Sequence, residues 1–396
     1  MDQKKIVFLL TFFVIVFSED TLIFGTNINQ MFVGLRIIGY LILLFFFYNS
    51  TWRHIDIRTL IVTLLIVSSF VIVMLLNSDF RNGYFLQLLS VLLALKIANY
   101  IKFSEFIESF SKIIFLFSIA SIGLFLLVCI VPSIMNILPT MSNSGNLEYG
   151  TILVSNIMKL EGTLRNSSIF REPGVFGIYL IVGLLYEFFY TANLNLKRIT
   201  VLLVALVTTF STTAFFAFAL VVLGYVFKSK NFKAKLYLYI GIAVFLIFLL
   251  PLVYETVFSK LDADTTDYRS TLSRVASMTI SLSMFYDHPL GVGLSNFVNL
   301  YSSYSLDLFG IEFKSEGEAT NTFLNTFAIF GIMYGTVLVY TVWRLSCQYH
   351  MSLLITIIIF AIFILLFSSQ DLRFSLLFNL LVMYGAIYIK NEGSIK

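Results

Sequence analysis

Three charged side chains crowd the stretch LRNSSIFREPGVFGIYL at positions 164–180. Arg165, Arg171 and Glu172 stand directly before the apolar run that Pro173 begins. Two further arginines, Arg269 and Arg274, lie in YRSTLSRVASMTISLSMFYDHPLGVGLSNF at 268–297. Arginine presents a planar fork of donors that pairs with phosphate oxygens through charge-assisted hydrogen bonds. Four arginines on two loops of one face would form an anion site, and a lipid pyrophosphate at a membrane surface would meet it. Helix packing accounts for part of the first stretch. Pro173 suits a first helical turn, Glu172 favours the positive end of a helix dipole, and Gly174 and Gly177 permit close helix contacts. It does not account for Arg165, nor for Arg171, whose charge is unfavourable at a helix N-terminus without an anion. For Arg269 and Arg274 taken singly, solvated surface charge is the alternative.

Other constellations carry less chemistry. DADTTD (262–267) lacks the glycine and terminal glutamate of a calcium loop and reads as a solvated acidic turn. The GVG at 291–293 reads as a turn, because the third glycine and strand context of a nucleotide fingerprint are missing. His54, His288, His350 and the two cysteines show no zinc spacing, so neither a metal nor another cofactor is expected. Cys129 and Cys347 fall at different depths, and no disulfide is expected. Arg36, inside an apolar run, is either functional or snorkels to the interface.

The elements that must hold these residues are apolar. The chain is 59% hydrophobic and 12% charged, whereas a soluble domain is about a quarter charged. Long apolar runs from end to end predict an all-α, polytopic integral membrane protein forming a single membrane domain over 1–396. Its first apolar run lacks a small-residue cleavage site and reads as an uncleaved span. The expected spans are 6–24, 31–48, 59–76, 83–99, 112–131, 173–190, 199–210, 212–227, 236–253, 321–343, 350–367 and 375–390. Residues 96–112 read as an interfacial amphipathic helix.

The segment 199–227 decides the topology. As one helix it would be about 43 Å long, against an apolar core of about 30 Å. Lys197 and Arg198 precede it and KSKNFKAK follows it, so both flanks belong on the cytoplasmic side. The segment is therefore expected as a re-entrant-like hairpin turning at FSTT (210–213). About twelve passes result, with both termini inside and two long loops, 132–172 and 254–320, on the outer face. Loops at 77–82 and 368–374 leave room only for turns. In the second long loop, Ser270, Arg274, Ser277 and Ser281 make a polar stripe. Leu272, Val275, Thr279 and Leu282 make another face, so a helix lying on the membrane surface is expected.

Four stretches resemble a known superfamily. RNSSIFREPGVFG (165–177) resembles the R-x-S-G-x-F-x-E-P signature of bacterial O-antigen polymerases of the Wzy type, with Ser168 in place of the glycine. TFSTTAFFAFAL (209–220) resembles the family's TxSxxG/A hairpin. SRVASMTISLSMFYDHPLGVGLSNF (273–297) resembles its external helix and the turn that follows, and ATNTFLNTFAIFGIMYG (319–335) the start of its next span. The matches run in family order over about residues 160–340. The resemblance implies a metal-independent glycosyltransferase using polyprenyl-pyrophosphate-linked oligosaccharide. A polymerase moves a growing glycan from undecaprenyl pyrophosphate onto a lipid-linked repeat unit at the outer face of the bacterial cytoplasmic membrane. A ligase transfers glycan to lipid A-core instead. Ligases usually carry a histidine where this chain has Thr320, followed by the expected Asn321, which favours a polymerase. A transporter or flippase of lipid-linked sugar is the reading from another class.

On this expectation Arg165 and Arg274 hold the pyrophosphate, with Arg171 and Arg269 supporting. Glu172 takes the proton of the acceptor hydroxyl. His288 and Asp287 are weaker candidates for the same task, and Asn321 either binds sugar or caps its helix. Tyr149, Tyr301, Tyr304, Glu312, Glu316 and Glu318 would face the glycan. The expected partners are the lipid-linked oligosaccharide, membrane lipid, and a chain-length regulator and flippase of the same pathway, with no nucleic acid.

Overall fold

The computed structural model describes residues 2–25, 30–47, 56–142, 147–152, 154–160, 163–229 and 266–387. The expected span 236–253, the basic run after Ser229 and most of DADTTD lie outside the described residues, as does the Arg269 side chain.

The described chain is mostly helical. Along it come α1 (Gln3–Val16), α2 (Gln30–Phe46), α3 (Ile57–Leu76), α4 (Asn82–Tyr100), α5 (Phe103–Ile130) and α6 (Pro173–Leu185). Then follow α7 (Leu196–Thr208), α8 (Thr212–Lys228), α9 (Thr266–Asp287), α10 (Gly293–Phe309) and the short α11 (Ser315–Glu318). Last come α12 (Thr322–Cys347), α13 (Leu353–Phe367) and α14 (Leu376–Ala386). Among the described residues, five helical stretches are long and apolar enough to cross a membrane: α3, α4, α5, Pro173–Tyr190 and α12. Shorter apolar helices, α13 and α14 among them, pack with them. Outward-facing residues such as Phe45, Leu75 and Ile130 are apolar and exposed, as a surface solvated by lipid requires.

Three expectations change. The loop after α5 is not plain loop. It carries an antiparallel sheet in the order β1 (Thr140–Ser142), β2 (Glu148–Ile152), β3 (Ser155–Leu160), β4 (Thr163–Ser168). The fold is thus α-rich but not all-α. Residues 103–112 form no separate interfacial helix, because α5 continues unbroken to Ile130. The polar stripe of α9 faces inward, not toward water. Ser273, Ser277 and Ser281 are buried, while Val275, Met278 and Leu282 are exposed. Small hydroxyl side chains let helices approach closely, and Ser281 donates to Asn325 of α12 at 2.6 Å.

α7 and α8 meet at a turn over 209–211 and straddle α6. Near the turn, the position of a Cβ on Gly177 lies 2.8 Å from the Ala214 Cβ. At the far ends, Arg198 reaches Glu187 at 3.1 Å and the Lys228 ammonium donates to the Phe188 carbonyl at 2.8 Å. Both outer ends of the pair therefore lie at one level. The same end of the molecule holds Lys4 and Lys5, which share a groove with Glu105, Glu108 and Lys112.

The opposite end is built from turns. Gly331 breaks α12 with φ 76° and ψ −175°, and the turn after α9 seats itself in the break. The Val292 N–H donates to Ala328 and the Ile332 N–H to Pro289, each at 2.9 Å. The 77–82 turn is tied to the same place. Asp79 accepts the Ser295 N–H at 2.7 Å and the Tyr84 hydroxyl at 3.1 Å.

Candidate functional site

Six short segments converge at this end around a cavity of about 300 Å³. Its walls include Glu19, Arg81, Arg171, Glu172, Phe297, Thr320, Gln370, Asp371 and Arg373. Three arginines and three carboxylates thus share one recess in an otherwise apolar protein.

Arg171 is held through both its backbone and its side chain. Its N–H donates to the Asp20 carbonyl at 2.9 Å, and its own carbonyl accepts the Tyr149 hydroxyl of β2 at 2.6 Å. Its guanidinium donates to the Asp371 carbonyl. Gly25 leaves room for the side chain, since a Cβ there would stand 2.9 Å from the Arg171 Cδ. The segment after α1, expected as the end of a span, instead folds back and pairs Thr21 with Phe170. That fold-back delivers Asp20. One Asp20 oxygen accepts from Ser18, Tyr179 and Ser375, joining α1, α6 and the start of α14. Burial raises the Asp20 pKa, although the neighbouring Arg171 charge and the hydroxyl donors pull it down.

Glu172 occupies the N-cap position of α6, yet its side chain makes no capping bond. The carboxylate lies on the cavity wall beside Arg171. Arg373 forms a two-pronged pair with Asp371, at 2.8 and 2.6 Å, and lies 5.1 Å from the Phe297 ring centroid. Burial works to raise the Asp371 pKa, but Arg373 and Arg171 outweigh it and hold the carboxyl below its ordinary 3.8. A carboxyl depressed in the fold stabilises the fold above its unfolded pKa and loses that contribution as pH falls through its folded value. The melting temperature of wild type in detergent should thus exceed that of Asp371→Asn at neutral pH. The gap should narrow only below pH 3.8; a gap that closes by mildly acidic pH would contradict the pairing.

Arg36 pairs with Glu19 at 3.0 Å and is buried, so it does not snorkel. It fixes a carboxylate on the cavity wall from behind.

The other expected site residues lie elsewhere. Arg165, on β4, donates to the carbonyls of Thr209 and Phe210 at 3.0 and 3.1 Å. It thereby holds the turn between α7 and α8, where Phe210 has φ 50°. Beside it, Asn166 donates to Thr208 and Ser121. Ser168 adopts φ 49°, a left-handed backbone that glycine takes without steric cost. Arg165→Ala would leave two turn carbonyls without their charged donor. A loss of about 1–3 kcal/mol is expected, read as a lower melting temperature that Arg165→Lys only partly restores. Arg274 is half-buried on α9, and neither it nor Arg165 lines the cavity. Among the described residues, the two do not meet in this cavity. The backbone of Arg269 lies on α9. His288 is exposed in the turn after α9, its carbonyl accepting from Gly291. Asn321 caps α12, accepting the Leu324 N–H at 2.9 Å. Tyr301 is buried, and Tyr304 donates to Asp287 at 2.6 Å.

Arg81, Asp371 and Arg373 were missed because their turns are only a few residues long. The available signal was a charge directly beside an apolar run, as in FRNG and QDLRF.

Residues 199–340 match the family model described as Wzy_C, O-Antigen ligase. The matched stretch runs from α7 into α12. It includes the wall residues Phe297 and Thr320 but not Arg171, Glu172 or Arg373. No curated protein matches the chain. Together with the apolar helices, the match supports a membrane enzyme of the O-antigen polymerase/ligase superfamily, acting in glycan processing.

Proposed function

We propose that the chain is a polysaccharide polymerase of O-antigen, capsule or exopolysaccharide. It would move a growing glycan from undecaprenyl pyrophosphate onto the next lipid-linked repeat unit, at the outer face of the bacterial cytoplasmic membrane. One observation carries this: Arg171 and Glu172 stand side by side on the wall of an arginine-rich cavity, with the carboxylate not spent on capping its helix.

The reaction is displacement at an anomeric carbon. The acceptor hydroxyl attacks, its proton passes to Glu172, and the bond from the anomeric carbon to the pyrophosphate oxygen breaks. The leaving group gathers negative charge. Guanidinium groups already in place lower the barrier, because no solvent must reorganise around the new charge. Arg171 and Arg81 take that part. Arg373 is held by Asp371 and shapes the wall. The pyrophosphate contact earlier expected of Arg165 and Arg274 passes to residues that line the cavity. Arg165 acts through the α7–α8 turn.

Thr320, standing where ligases carry histidine, is on the cavity wall. It cannot serve as an imidazole base, which favours the polymerase over the ligase. Purified protein in nanodiscs, given pyrophosphate-linked repeat units, should yield a ladder of lengthening glycans. A single transfer to lipid A-core without a ladder would mark a ligase. Movement of the lipid across the bilayer with no new glycosidic bond would mark a flippase.

A further inference from the structure

One buried carboxylate at this end is held by hydroxyls instead of by a paired arginine. Glu19 is met by Arg36 and Asp371 by Arg373. Asp20 is met by Ser18, Tyr179 and Ser375, which all donate to its Oδ2. Its Oδ1 is buried and takes no hydrogen bond among the described residues. Three donors on one oxygen are the pattern of the charged form, which only accepts. A carboxylate removed from water costs more than such bonds return, unless a cation acts on it. That cation is Arg171. Its N–H donates to the Asp20 carbonyl at 2.9 Å, and the two side chains interact through their charges.

Asp20 does not line the cavity, so it touches no ligand there. An anion bound by Arg171 nevertheless feels the charge of both residues. We propose that Asp20 tempers the hold of Arg171 on a diphosphate, so that the spent diphosphate is released after each transfer. It is a positioning residue, because it acts through the Arg171 guanidinium. The proposal rests on the reading of the cavity as a diphosphate site and adds what limits the affinity of that site. A guanidinium without a counter-charge in a low-dielectric recess would hold product as firmly as substrate. Binding both equally well gains nothing for turnover. The hydroxyls keep the carboxylate in place. The Tyr179 ring lies 4.2 Å from that of Phe170, and Ser375 caps α14.

The test is calorimetric titration of inorganic pyrophosphate into the protein in nanodiscs. Asp20→Asn keeps the size of the side chain and an oxygen for the hydroxyls but removes the charge. It is expected to bind pyrophosphate about tenfold more tightly. The direction is decisive, because a disturbed fold weakens a site and does not strengthen it. If the amide destabilises the fold, Tyr179→Phe added to Asp20→Asn takes away one of the facing donors, and the same tightening is expected. In an Arg171→Gln background, Asp20→Asn should change nothing. Unchanged or weaker binding in both Asp20 variants overturns the proposal and leaves the reading of the cavity standing. Equal tightening with and without Arg171 also overturns it, since the charge would then act by another route. Pyrophosphate that binds wild type no better than Arg171→Gln would remove the reading and the proposal together.

Discussion

Glu172→Gln should abolish the glycan ladder while the protein still inserts, purifies and melts cooperatively. The carboxylate makes no cap bond, so its amide replacement breaks no hydrogen bond of the α6 N-terminus and costs only its charge beside Arg171 and the helix dipole, a melting-temperature drop of a few degrees at most. What it removes is the capacity to take a proton. General-base catalysis is worth about 10²–10⁴-fold in rate, and a loss of that size is expected in single-turnover transfer. Binding of the lipid-linked donor should change little, because an amide keeps the shape of the side chain. Transfer within about tenfold of wild type would remove Glu172 from the chemistry. A large loss in stability would instead assign it a structural task.

The second large effect is structural. Gly331→Ala puts a Cβ 2.5 Å from the Leu290 carbonyl, onto a backbone with φ 76°. Both contacts are with main chain, which cannot swing aside as a side chain can. The strained backbone costs about 1–3 kcal/mol, and the clash adds a comparable amount. The variant is expected to lose its cooperative melt or to melt many degrees lower. The turn after α9 would be expelled from the break in α12, and with it the Asp79 contact to α10. Gly310, also at positive φ but with open space around its Cβ position, provides the contrast. Gly310→Ala should cost only the backbone strain, about 1 kcal/mol. Equal losses at the two positions would contradict the seating of the turn in the break.

The sequence made some of this visible and concealed the rest for physical reasons. Apolar runs report helices in lipid directly, because only satisfied backbone can cross a membrane. Three of the four resembling stretches, 209–220, 273–297 and 319–335, fall inside the matched 199–340. Arg171 and Glu172 stood out because they end a long polar loop, and a charge at a helix start invites a question. Arg81 and Arg373 do not, since each sits in a turn so short that topology alone accounts for it. Asp20 was hidden inside an expected span. Nothing in FSEDTLIFG announces that α1 ends at Val16 and that the chain folds back to pair with Phe170.

The inward face of α9 shows a different limit. Helical periodicity gives the two faces of a helix but not which one turns inward. Here the small polar face turns inward, because its hydroxyls pack closely and bond across helices. Asn325 on the partner helix was the clue. The sheet escaped notice because its strands are short, with β1 only three residues long. Its functional contribution is modest in size and specific in place: Tyr149 holds the Arg171 carbonyl and Arg165 holds the hairpin turn.

Under the proposed function, short turns from separate helices build one diphosphate site at this end of the bundle. A cryo-electron microscopy structure in nanodiscs with a non-transferable lipid-diphosphate sugar would test it most directly. Diphosphate density is expected between Arg171 and Arg81, with the first sugar within reach of Glu172. Density held instead by Arg274 on α9 or by His288 in the turn after it, or a cavity left empty under saturating ligand, would contradict it.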